Sequence, residues 1–134
     1  MSRASVGSSR AAKAREAVSF LEKGKGREVL STISKTGMRN LVSVAQAASS
    51  LDEIELTIRY QQARSGEKKN ERWHPETSEV LINVIRKAAQ GVQGDSDEAH
   101  RARALAAAEV LGLIARAHRV IHEQNRASGK GERS

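Results

Sequence analysis

The chain has 134 residues, enough for one domain with one core, and carries 23 Lys plus Arg against 16 Asp plus Glu, a net charge of +7. It has no cysteine and only three aromatic residues, which excludes a disulfide framework and a cysteine-based metal site and leaves a core of aliphatic side chains and alanine. The most apolar run, residues 104–115, is interrupted by Glu109 and too short to cross a bilayer, and the N-terminus has no stretch of signal-peptide character. These properties point to a cytoplasmic protein without a membrane partner, and a small domain this basic points to a polyanionic partner, nucleic acid first.

There is one proline, Pro75, and no Asn-Gly or Asp-Gly hairpin signal, while β-branched residues fall at helical spacing. The expected fold is all-α: a compact bundle of about five helices around a long C-terminal helix. Residues 10–125 read as a single helical domain, with flexible ends at 1–9 and 126–134.

A first helix is expected at about Arg10–Glu22, with Ala14, Ala17, Val18 and Leu21 inward and Phe20 beside them. Lys23-Gly24-Lys25-Gly26-Arg27 should break it. Up to Arg27 there are seven basic residues and two acidic ones, so positive charge is concentrated at this end. This glycine-rich stretch lacks the Gly-x-x-x-x-Gly-Lys-Ser/Thr order of a phosphate loop and follows a helix rather than a strand, so it reads as a linker. Glu28–Ile33 is a short apolar piece of about one helical turn.

A second helix is expected at Thr36–Ser49 with Thr36 as N-cap. Met38, Leu41, Val42, Val44, Ala45 and Ala48 form its core arc. Arg39, Ser43 and Gln46 lie on its wet arc, with Lys35 just before the first turn and no acid among them. The third helix, Leu51–Ser65, is capped by Ser50 and carries Asp52 and Glu53 where the helix dipole favours them. It has two apolar stripes. Leu51, Ile54 and Ile58 face one way and Leu56, Tyr60 and Ala63 roughly the other; only one face is needed for the domain's own core, and the second suits a neighbouring helix or another chain. Glu55 precedes Arg59 by four residues, a helix-stabilising pair.

Gly66–His74 is a polar loop in which Trp73 reads as a packing anchor rather than a base-stacking platform. Pro75 suits the first turn of a fourth helix running to about Gln90. Its wet face, Asn83, Arg86, Lys87 and Gln90, again lacks acid. The last helix, about Ala99–Gln124, is capped by Asp95 or Ser96. One stripe carries Ala99, Ala102, Ala106, Val110, Leu113, Ala117, Val120 and Ile121. The other side is small: Ala104, Ala108, Gly112 and Ala115. A helix approachable from two sides is the piece around which the others pack.

His118 and His122, four apart near the end of that helix, have metal-ligand spacing, with His100 on the same side several turns earlier. A zinc site needs a third ligand nearby, and the His-Glu-x-x-His order is absent. No nucleophile, base and orienting acid are suggested by spacing, so neither catalysis nor a metal or other cofactor is expected. What remains is binding. Lys35, Arg39, Arg86 and Lys87 lie on acid-poor helix faces, and Arg64, Lys68, Lys69 and Arg72 cluster in and around a loop. Point charges without aromatic interleaving suit phosphates rather than base edges.

The region from Ile33 to Arg64 resembles the small helical subunit of type III CRISPR effector complexes, the Csm-type small subunit. The matching positions are Thr36, Met38 and Arg39 at the start of one helix, and Leu56, Arg59, Tyr60 and Arg64 in the next. Leu111–Val120, with Ala115 and His118, resembles that family's last helix. Gly37 and Arg116-Ala117 depart from the family's pattern. The resemblance implies a non-catalytic protein that stacks with further copies of itself and with other subunits along guide RNA paired to target RNA. It would touch the RNA backbone through Lys35, Arg39, Arg59, Arg64, Arg86 and Lys87, with Leu56 and Tyr60 as a subunit contact. The alternative is a stand-alone basic DNA-binding protein of nucleoid or regulatory type, with the second helix as the reading element.

Overall fold

The computed structural model describes residues 9–22, 24–65 and 73–127. They form six helices: α1 (Arg10–Ser19), α2 (Lys25–Ser31), α3 (Lys35–Ala47), α4 (Leu51–Ser65), α5 (Pro75–Ala89) and α6 (Asp97–Ala127). No strand occurs among the described residues, and the fold is all-α, as composition and spacing predict. α6 is the hub, touching each of the other five helices. Among the described residues, no helix is long and apolar enough to cross a membrane.

The largest difference from expectation lies between α1 and α3. α1 stops at Ser19, earlier than Glu22, and the glycine-rich break gives way to a two-turn helix, α2. Its two glycines do different jobs. Gly24 takes φ +139°, a conformation that side chains avoid, and turns the chain. Gly26 lies inside α2, where a Cβ would come within 3.0 Å of the Phe20 ring. Close approach to an aromatic side chain, not flexibility, explains that glycine. Arg27 fastens the segment by donating to the Leu21 carbonyl and to Gln124 Oε1, both at 2.7 Å.

α3 begins earlier than expected because Ser34, not Thr36, caps it: Ser34 Oγ accepts from the Gly37 amide at 2.9 Å. Ile33 and Met38 stand on either side of this cap in hydrophobic-staple positions, and both are buried. That pairing selects Ser34, since a cap at Thr36 would leave Ile33 out of register. A Cβ at Gly37 would meet Ser34 Oγ at 3.1 Å and Trp73 Nε1 at 3.5 Å, so this glycine makes room for the cap and the indole. Trp73 is buried, the packing role expected of it. α4 matches its expected bounds. Ser50 Oγ accepts from the Glu53 amide while Glu53 Oε1 accepts from the Ser49 amide, a reciprocal cap. Ser96, the second of the two candidates, caps α6 by accepting from the Ala99 amide at 3.0 Å.

Leu30, Ile33, Leu41, Ile54, Ile58, Leu81, Ile85, Leu111, Ile114 and Ile121 are sealed from solvent in one core. The side of α6 expected to be small divides along its length: Ala104 and Ala108 are buried, whereas Gly112 and Ala115 are half-buried. α3 comes close to this side. Arg101 reaches from it to the carbonyls of Ala48 and Gln46. Ala104 and Ala108 are therefore covered within the chain itself. Val18 and Val120, expected inward, are exposed along an apolar groove between α1 and α6, which Ala14, Leu21, Leu113 and Ala117 also line. Lys13 is buried in their place, its ammonium 2.8 Å from Glu109 on α6, with Arg10 on the same carboxylate.

Gly112 stands on the open part of the small side, where a Cβ would meet nothing within 4 Å. Glycine inside a helix costs roughly 1 kcal/mol relative to alanine. Gly112→Ala is therefore expected to stabilise the protein by about 0.5–1 kcal/mol in urea titrations, with the slope unchanged.

Candidate nucleic-acid interface

α3 presents Lys35, Arg39, Ser43 and Gln46 along one side, at helical spacing, while Met38, Leu41 and Ala45 face the core. Across from them α6 contributes Ala115, His118 and Arg119. Together these residues line an open groove whose floor includes Met38, Val42 and Ala115. Among the described residues, no carboxylate lines it. Lys35 and Arg39 make no ion pair among the described residues, so their charges are available to an incoming anion. Arg119 is shared with Glu123 one turn on, at 3.3 Å.

The remaining expected contacts divide by what they touch. Arg59 and Arg86 converge on one carboxylate, Glu55, at 3.1 and 2.8 Å. Burial pushes the Glu55 carboxyl up, but the hydrogen bonds and charges of Arg86 and Arg59 outweigh it and hold the group below its ordinary value. Two cations against one carboxylate leave a single net positive charge. Lys87 reaches Glu16 on α1 at 3.2 Å. The wet face of α5 lacks acid only within its own helix; the carboxylates that meet Arg86 and Lys87 come from α4 and α1. Arg64 lies over the Tyr60 ring, 5.8 Å from its centre, a cation–π geometry. Lys68, Lys69 and Arg72 lie outside the described residues. Lys25 in the glycine-rich stretch pairs with Glu76.

The structure thus brings Lys35 and Arg39 together in one groove and Arg59 and Arg86 together over one acid, but places Lys87 against α1. It adds Arg119, which sequence reasoning passed over. The available signal was its place beside His118 and four residues after Ala115, which puts it on the groove side of α6. Leu56 and Tyr60 are 68% and 59% exposed, the two most exposed large apolar side chains among the described residues.

The histidine pair is built into the fold. His118 is buried and its Nε2 donates to the Ile33 carbonyl at 2.7 Å, which assigns that nitrogen the proton in the neutral ring. The His122 ring lies 4.3 Å away, centre to centre. With His118 Nε2 committed to a carbonyl, the two rings cannot both offer that nitrogen to a metal unless this bond breaks. Among the described residues, no three His, Asp or Glu side chains come together as a ligand set. Burial pushes the His118 pKa below its ordinary value; the Ile33 carbonyl opposes this, and His122 and Lys35 add to it.

The unfolded chain therefore takes up a proton at His118 near pH 6.5, while the folded chain does so only at lower pH. Stability is expected to fall as pH drops below about 6.5, and the loss stops growing once the folded ring is itself protonated. Urea midpoints measured between pH 7.5 and 5.5 check this. His118→Gln, which retains an N–H for the Ile33 carbonyl, should show the shallower fall.

Comparison of the chain with protein-family models, curated proteins and solved structures finds no match.

Proposed function

We propose that this chain is a cytoplasmic, non-catalytic small subunit of a type III CRISPR RNA-guided effector complex, holding guide and target RNA by the backbone and packing against neighbouring subunits in antiviral defence. The observation that carries this reading is the groove that, among the described residues, has no carboxylate in its lining and no ion pair on Lys35 or Arg39 of its α3 side. Two unpaired cations one helical turn apart can each meet a phosphate and read no base. The resemblance adds support, since Thr36, Met38 and Arg39 lie on that same helix. The exposed Leu56 and Tyr60 suit a chain that works beside other protein.

Such binding is independent of sequence and weakens steeply with salt, because each phosphate neutralised releases counterions. The deciding experiment is purification of the chain together with the products of neighbouring genes, followed by identification of the nucleic acid that co-elutes. Short RNAs of defined length are the expected result. Duplex DNA in the absence of partner proteins would overturn the reading in favour of a stand-alone DNA-binding protein.

A further inference from the structure

The outward face of α4 carries an order of charge that its exposed apolar residues alone do not require. Asp52 and Glu53 stand in its first turn, Leu56, Arg59 and Tyr60 in its middle, and Ala63 and Arg64 towards its end. At 100° per residue, Asp52, Leu56, Arg59, Tyr60 and Ala63 fall within one arc of about 100°, opposite the buried Ile54 and Ile58. Glu53 and Arg64 flank this arc on the same side. Asp52 makes no ion pair among the described residues, and Glu53 uses one oxygen on the Ser49 amide.

We infer that this face binds the same face of a second copy of the chain, with the two α4 helices antiparallel about a two-fold axis midway between Leu56 and Tyr60. This arrangement lays Leu56 of each copy on Tyr60 of the other. It brings the acidic first turn of each helix to the Arg64 end of the other, and it does so twice, because a two-fold contact is self-complementary. A parallel pairing would instead set acid against acid and arginine against arginine. Antiparallel helices also place opposite dipole ends side by side. Arg59 of the two copies falls side by side near the axis, where Glu55 of each already shares its charge, and Arg64 is the cation that meets the partner copy's acids. One helix face on each side is a small interface, so association is weak and is seen at high protein concentration.

This inference rests on reading Leu56 and Tyr60 as a protein contact and is independent of the RNA groove. The chain has no cysteine, so introduced thiols report contacts directly. Sedimentation of the full chain up to roughly 1 mM should show a monomer–dimer equilibrium that Leu56→Ser with Tyr60→Ser shifts at least tenfold towards monomer. In the oxidative cross-linking test, Asp52→Cys and Ala63→Cys proteins carrying different tags should form a mixed disulfide dimer, and neither should link efficiently to itself. A monomer at all concentrations, or Ala63→Cys linking to itself as readily as to Asp52→Cys, would overturn the pairing. A monomer that still binds RNA through the groove sinks only this inference. A dimer indifferent to RNA sinks only the groove reading.

Discussion

Lys35→Gln combined with Arg39→Gln is expected to weaken RNA binding on the order of tenfold at low salt and to flatten the salt dependence, in log–log slope, by about 1.4. That is the loss of two phosphate contacts at roughly 0.7 each for single-stranded RNA. Arg86→Gln combined with Lys87→Gln removes the same formal charge and should do much less. Arg86 is already held by Glu55 and Lys87 by Glu16, so a phosphate there competes with a carboxylate in place. Fluorescence anisotropy against one RNA across a salt series separates the two. Equal losses would mean that the interface extends across the acid-paired face and that the groove is not its centre.

Leu111→Ala and Ile114→Ala are each expected to cost about 2–5 kcal/mol, from lost burial plus the cavity left behind. Both side chains are fully buried on the helix that every other helix touches, so no single neighbour can relax into the gap. A domain of this size has on the order of 5–15 kcal/mol in total, so either change takes a large share of it. Leu105→Ala on the same helix, where the side chain is half exposed, should stay within about 0.5 kcal/mol. Urea unfolding followed by circular dichroism measures all three. A Leu105 effect as large as that of Leu111 would show that the half-exposed Leu105 is covered in solution.

How much of this was legible beforehand depends on the range over which each signal acts. α4, with its reciprocal Ser50–Glu53 cap, and α5, opened by Pro75, lie almost to the residue where the sequence puts them, and spacing alone gives the two opposed apolar stripes of α4, of which the structure buries Ile54 and Ile58 and exposes Leu56 and Tyr60. α2 was harder, because glycine reads locally as a breaker, whereas Gly26 is there to let a helix pass close to Phe20. Burial of Lys13 was invisible for a similar reason: its partner, Glu109, lies far along the chain on α6. The candidate site shows the same division. Lys35 and Arg39 keep the freedom their helix suggests. Arg59, Arg86 and Lys87 do not, and pattern along a single helix carries no information about the acids that neighbouring helices bring to them.

The place of the hub in the chain also bears on how the fold is reached. α1 has its main seat on α6, and the ion pairs of Arg10 and Lys13 with Glu109 join residues almost a hundred positions apart. Five helices are therefore synthesised before the surface they share exists. Until residues 97–127 follow, the inward faces of α1, α3 and α5 have no common partner, and the entropy of closing such long loops is paid in one late step. The alanine-rich sequence of α6 suits that order of events, since a helix that forms readily on its own can arrive preformed and gather the waiting pieces around it.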